Sequence, residues 1–422
     1  MVSRNGHVVW LAGLAILVGL PRWALSAQRP DIDSVPGRSV TPLLIYDGEL
    51  ISNVAGGLQR GSTYEAVAQA QFTFNFRRIF GWRGASGFFF IAGLHGGQPE
   101  PLVGDIQGVS DLEGQPMLRV QELWIQQNAI GNRVSLLAGR YDVNSEFYLS
   151  RSGELFLNGS FGMGAEFGLS GFDGPSSFPN TALGARLATK PTPNSIWRFA
   201  VVDAVPFDRP NGGIHPFATE DGVLLVSEVG LLSREDTTNG PRRRRFLIGR
   251  GHTRLYTAKV AIGGWNYTAR FPDLSDTLAT GQPVLRRGSR GAYLIVDETV
   301  LSGRNNPRAL SVFFQAGIGD RRVNQIGSYT GGGLTFQAPF LSRPKDEIGL
   351  GVAAAHVGSH WVRSPESLGL ADGETAIELT YAAQLSESFA LQPDVQYIKN
   401  PGATRAVKNA LVLGLRAEVS GW

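Results

Sequence analysis

The chain has 422 residues, a formal net charge of +3, 42% hydrophobic residues, 54 glycines and no cysteine. The missing cysteines exclude a disulfide scaffold and a thiolate metal site, and the near-neutral charge excludes the broad basic surface that nucleic acid requires. Glycine stands at nearly double the usual ~7% while the apolar fraction lies just below the usual ~45–50%, which is wrong for a helical membrane protein and right for a barrel whose strands turn one face to water.

Arg4 and the apolar run Val8 to Leu20 read as the start of an export signal, too short for a spanning helix. Residues 1–27 are therefore expected to be a cleaved leader, with cleavage after Ser26 or Ala27. Losing Arg4 and Arg22 with it leaves 37 basic residues against 36 acidic. Export without disulfides points to a Gram-negative envelope. Residues 28–42, polar and carrying Pro30, Pro36 and Pro42, suit a periplasmic lead-in, so the barrel domain is expected over 43–422.

The segment 64–76 is the clearest strand. Tyr64, Ala66, Ala68, Ala70, Phe72, Phe74 and Phe76 share one parity, and Glu65, Val67, Gln69, Gln71, Thr73 and Asn75 the other. One face wants an apolar medium with aromatic ends; the other wants water. Gly87 to Leu94 follows as an apolar run, then Arg119 to Asn128 and Arg133 to Tyr141 as a hairpin. The stretches 95–116 and 142–180, rich in Gly, Pro, Asp, Asn and Ser, read as long connections folding over or into a barrel mouth.

Alternation then resumes with Leu183, Ala185 and Leu187 against Arg186, with Trp197, Phe199 and Val201 against Arg198, and with Val223 to Leu231 around Glu228. Val260 and Ile262 oppose Lys259; the odd and even residues of 310–318 and 348–355 separate in the same way. Near the end, Ile377, Leu379 and Tyr381 oppose Glu378; Leu391, Val395 and Tyr397 oppose Asp394; Leu411, Leu413, Leu415 and Val419 oppose Arg416. The fold class is all-β, a single antiparallel transmembrane barrel with short periplasmic turns and long extracellular loops. Strand number in bacterial barrels is even, and the spacing favours sixteen, with eighteen as the alternative.

Several segments resemble the carbohydrate-selective porins of the OprB type. They are Asn53 to Gly57, Gly81 to Gly84, Val103 to Ser110, Gln121 to Gln127, Ala138 to Phe147, Leu155 to Gly159, Arg290 to Leu294, Arg343 to Leu350 and Leu391 to Gly402. In that order they span most of the exported chain. The resemblance implies a sixteen-stranded outer-membrane pore that passes small sugars by diffusion, in contact with outer-membrane lipid and lipopolysaccharide and inserted by the barrel-assembly machinery. Two features depart from it. Trp422 is one residue out of phase with the outward row ending at Val419, which a bulge at Gly421 would correct. Arg242 to Arg245 form a basic block read as a solvated loop, with a lipopolysaccharide-phosphate contact as the alternative.

A sugar pore needs donors and acceptors for hydroxyls and an aromatic for the ring face. Arg140, Asp142, Asn144 and Glu146 share a parity around Tyr141 and form the best candidate lining. Mixed charges favour neutral solutes over ions, and the expected inward set is mixed: Arg186, Arg198, Lys259 and Arg416 with Glu228, Glu378 and Asp394. Trp124 is a stacking candidate if it faces the lumen, and a lipid-facing girdle residue otherwise. Asp105, Gln107 and Ser110 are expected on a loop that folds inward, or else on an exposed turn. His356 and His360 come with no third ligand in sequence, and no metal or cofactor is expected. A general or anion-preferring pore is the alternative function. A barrel hydrolase is a weaker one, because no histidine stands in a nucleophile motif.

Overall fold

The computed structural model describes residues 38–206, 217, 221–233, 257–302, 307–364 and 369–421. The expected leader, most of the lead-in, the Arg242–Arg245 block and Trp422 lie outside these residues.

Alternating faces drive the chain into a closed barrel. Its first eight strands are β1 (Val40–Gly57), β2 (Gly61–Asn75), β3 (Ala85–Gly96), β4 (Met117–Ala129), β5 (Val134–Tyr141), β6 (Ala182–Thr189), β7 (Ser195–Asp203) and β8 (Val223–Leu232). The rest are β9 (Ala258–Thr277), β10 (Pro283–Ser302), β11 (Ala309–Gly319), β12 (Ile326–Gln337), β13 (Glu347–Val357), β14 (Gly373–Gln384), β15 (Phe389–Lys399) and β16 (Lys408–Gly421). Each pairs antiparallel with the next, and β1 pairs with β16, so no edge is left unpaired. Among the described residues, four short helices sit in connections: α1 (Phe76–Phe80), α2 (Glu100–Val103), α3 (Ala165–Gly168) and α4 (Ser359–Arg363).

The outward rows are apolar and exposed, including Leu123 and Ile125, Trp197 and Phe199, Val260 and Ile262, Leu350 and Val352, and Leu413 and Leu415. The inward rows are buried and largely polar, as with Glu65, Gln69 and Gln71 on β2. An even strand count puts the start of β1 and the end of β16 at one end of the barrel. Connections at the opposite end include 97–116, 142–181 and 204–222, whereas the terminal end, apart from the long connection 233–257, carries shorter turns such as 130–133 and 385–388. Long loops face outward in outer-membrane barrels, so the terminal end faces the periplasm. Leu232 and Ala258, which flank the Arg242–Arg245 block, lie at that periplasmic end.

Strand β1 begins at Val40, three residues before the expected start, and takes in Pro42. Pro42 pairs with Phe72 of β2, but β16 reaches only Leu44, so the missing N–H of Pro42 faces no neighbour. At the closing seam the ladder runs in register from Ala417 to Gly421, and the step to Trp422, where a bulge would act, lies outside the described residues. Strands β10 and β12 are not apparent in the alternation pattern. In β10 a register shift at Gly288, which has φ +79°, changes the phase midway, and β12 carries Gly331-Gly332-Gly333, which offer no side chains to alternate.

Val352 lies mid-strand on the outward face of β13. Val352→Arg is expected to cost roughly 2–4 kcal/mol of stability in lipid, as measured by urea titration of vesicle-embedded protein. An unchanged midpoint would mean that this row does not meet hydrocarbon.

Candidate solute pathway

Two outer connections, 97–116 and 142–181, turn back into the barrel. Val103 and Leu112 of the first are buried, as are Val143, Phe147, Tyr148, Leu157, Phe161 and Phe167 of the second. The second packs Phe147, Tyr148, Met163 and Phe167 against Val202, Val226, Trp265, Tyr267 and Tyr293 of the wall. Phe156, Phe161 and Ala165 pack against Phe313, Tyr329 and Ala353. Phe167 stacks on Trp265 at 4.4 Å, and Phe156 lies 5.5 Å from Phe313.

A segment with so little regular structure has backbone donors to satisfy away from bulk water. Carboxylates on the strands accept them. Glu228 accepts the Tyr148 N–H at 3.0 Å and the Tyr293 hydroxyl at 2.9 Å. Asp297 accepts the Ser152 N–H at 3.0 Å and the hydroxyls of Ser150 and Ser152. Glu378 accepts the N–H groups of Leu157 at 2.6 Å and Asn158 at 3.0 Å. Glu374 does the same for Ile106, Gln107 and Gly402. Lys259, Gln315, Gln392 and Gln396 donate to the carbonyls of Leu149, Phe161, Leu155 and Val109.

Between the two segments lies an open space of ≈ 340 Å³. Gln107, Ser110, Asp111 and Glu113 line it from one side and Asp142, Asn144, Ser160 and Ser177 from the other, with Ile106, Met163, Leu169 and Phe178 as apolar surface. Burial pushes Glu113 up to about 7 and Asp105, on the same segment, up to about 6.

Of the residues expected to meet solute, Asp142 and Asn144 border this space. The Asp142 carboxylate accepts the N–H of Asn144 at 2.8 Å and of Phe178 at 3.2 Å, tying the two ends of the long segment together. Arg140 donates to Thr181 at 2.8 Å from beside the same junction. Tyr141 is buried and donates to Glu146. Glu146 in turn joins Arg186 at 2.6 Å and Arg198 at 3.8 Å, and Arg198 and Lys259 each reach Glu228 at 3.2 Å. Charges thus alternate from β6 to β9, with Glu146 of the long segment set between Arg186 and Arg198 of the wall. Burial would push Glu146 up, but Arg186 and Arg198 hold it below its ordinary value.

The remaining expectations divide differently. Gln107 and Ser110 border the space, while Asp105 is buried on the same segment. Trp124 faces inward yet lies in the wall, 5.2 Å from Phe88 and donating to Glu122. Glu228, Lys259, Glu378 and Asp394 point inward as expected but lie under the inward segments, away from the lining. Arg416 is also buried; it bonds Glu49 and Asp111, each at 2.6 Å, and Ser110 at 3.4 Å, and so reaches the space through Asp111 and Ser110.

Asp111, Glu113, Asp297 and Glu374 stand outside the expected set. A further signal was present in β13, whose inward row Gly349, Gly351, Ala353 and Ala355 is small where polar residues were expected. A Cβ on Gly351 would meet Phe161 at 2.7 Å and Phe156 at 2.8 Å, so the bare backbone is the seat for those rings. The sequence offered no third partner beside the histidines, but the structure brings Asp273 and Asp276 to His360 and leaves His356 apart on β13. Arg286 already pairs with both acids, at 2.8 and 2.5 Å. Ser275 and Asp273 contact the same ring nitrogen of His360, Nδ1, so the trio lacks the two-nitrogen relay of a hydrolytic triad.

The sequence profile described as carbohydrate-selective porin, OprB family, matches residues 59–420. Porin B of Pseudomonas aeruginosa is 24% identical over 409 residues, covering 89% of this chain and 86% of its own. The putative porin QuiX of Acinetobacter baylyi is 30% identical over 128 residues, 26% of this chain and 29% of its own. Among solved structures, the high-pH form of Pseudomonas putida OprB superposes with a TM-score of 0.78 at 21% identity, covering 91% of this chain and 94% of that one. The outer-membrane channel DcaP of Acinetobacter baumannii gives 0.53 at 11% identity, covering 90% and 97%.

Two substitutions test the seating of the inward segment. Glu378→Ala strands two buried N–H groups, at about 1–3 kcal/mol each, and is expected to give noisier and larger single-channel currents. Traces like those of the parent would contradict the anchoring role. Gly351→Leu drives a side chain into Phe156 and Phe161, with an overpacking cost of about 1–3 kcal/mol, and a lowered thermal midpoint in detergent is the expected readout.

Proposed function

Because the chain belongs to the carbohydrate-selective porins of the OprB family, we propose that the space between segments 97–116 and 142–181 is the selective stretch of its sugar pathway. The protein is an outer-membrane channel of a Gram-negative bacterium and carries sugars by passive diffusion. Monosaccharides and small oligosaccharides are the proposed solutes, since ≈ 340 Å³ lies at the small end of small-molecule sites. A solute loses part of its hydration there, and the lining replaces it with hydroxyls, carboxamides and carboxylates. Asp111, Glu113, Asp142 and Asn144 serve the sugar hydroxyls in this reading, and Phe178 and Met163 the less polar ring face. Passage needs no covalent step.

The observation that carries the proposal is this mixed lining, contributed by both inward segments. Three carboxylates border the space, which argues against an anion-preferring pore. The alternating wall of Arg186, Glu146, Arg198, Glu228 and Lys259 is assigned to support, with Arg198 and Glu146 its more water-accessible members. The outer-membrane setting makes lipid, lipopolysaccharide and the barrel-assembly machinery its expected partners.

Liposome swelling tests the proposal, using glucose, a disaccharide, an amino acid and an organic anion of hexose size. Glucose is expected to enter faster than the anion, and Asp142→Asn with Glu113→Gln to narrow the difference severalfold. Equal entry of all solutes of one size would contradict sugar selectivity.

A further inference from the structure

The outer ends of β9 and β10 carry arginines on the face opposite the pore. Along β9 the outward row begins apolar with Val260 and Ile262, the latter 64% exposed, and turns polar through Asn266, Thr268 and Arg270. On β10 the matching row runs from Val296 and Leu294 to Arg290 and, past the Gly288 shift, Arg287. The register sets Arg290 opposite Asn266 and Arg287 opposite Arg270. All three arginines are exposed.

Two like charges directly opposed across strands repel. The nearby acids pair with other arginines, and Asp320 offsets the Arg290 charge only from a distance. Asp273 and Asp276 pair with Arg286, which faces inward, and Asp320 pairs with Arg322 at 2.7 Å. Arg270, Arg287 and Arg290 form no ion pair with any described residue. Arg290 stands four residues beyond the level of Ile262, roughly 13 Å along the strand, where the outward row turns polar before Leu285 and Pro272 further out. That is the height of headgroups in the outer leaflet, directly continuous with the lipid-facing surface.

We propose that Arg270, Arg287 and Arg290 form a binding site for the phosphate of a phosphorylated glycolipid in the outer leaflet, a lipopolysaccharide headgroup. Guanidinium groups bind phosphate through paired N–H donors, and one phosphate between Arg270 and Arg287 converts a repulsive pair into two attractive contacts. Asn266 and Thr268 stand on the same face as further hydrogen-bonding groups. The site is separate from the sugar pathway, which lies inside the barrel.

Binding of bisphosphorylated lipid A to detergent-purified protein tests this by native mass spectrometry, with dephosphorylated lipid A and inorganic phosphate as parallel probes. The wild type is expected to retain bisphosphorylated lipid A at least tenfold more strongly than R270Q/R287Q/R290Q, and to lose that preference for the dephosphorylated lipid. The same lipid is expected to raise the thermal midpoint of the wild type and not that of the triple variant or of R287Q alone. Single-channel conductance of the variants should match the wild type, which establishes that they fold. Equal retention by wild type and triple variant would overturn the site, and a response to inorganic phosphate as large as that to the lipid would overturn the lipid as its occupant.

Discussion

The hydrogen bonds from loop backbone N–H groups to strand carboxylates organise everything inside this barrel. A sixteen-stranded wall satisfies its own backbone and leaves a wide lumen. Narrowing it requires chain that enters without a ladder of its own, and such chain brings unpaired donors. Glu228, Asp297 and Glu378 meet those donors along segment 142–181, and Glu374 meets them along 97–116. A carboxylate suits the task because its two oxygens accept several bonds, and charge-assisted bonds are about twice as strong as neutral ones.

This arrangement separates the two duties of a pore interior. The strands supply anchors, and the segments they anchor supply the surface presented to solute. Aromatic rings complete the attachment by lying on parts of the wall where side chains are absent or small, as Phe156 and Phe161 do over Gly351. The alternating ions between β6 and β9 keep the opposite wall polar without leaving a buried charge unpaired, which would be far more costly than an exposed one.

The sequence made the barrel legible because alternation is local: each apolar–polar step along β2, β14 or β16 is visible within a dozen residues. Strands β10 and β12 escaped because a register shift and a glycine run erase that local signal. The inward direction of Glu228, Glu378, Lys259 and Arg416 was legible for the same reason, whereas their covering by the two inward segments was not, since it depends on chain more than 60 residues away in sequence. Asp142 and Asn144 stand beside the opening because their motif sits where β5 ends and the segment begins. The small inward row of β13 was a further clue, beside the composition of the long connections, that something packs within.

Hydrogen exchange of the protein in lipid, followed peptide by peptide, tests the anchoring most directly. If the strand carboxylates hold the inward segments, the amides of Tyr148, Ser152, Leu157 and Asn158 exchange nearly as slowly as those of the neighbouring strands. Exchange of these amides at the rate of an open surface loop would contradict the account, because the segment would then be neither fixed nor able to define the opening.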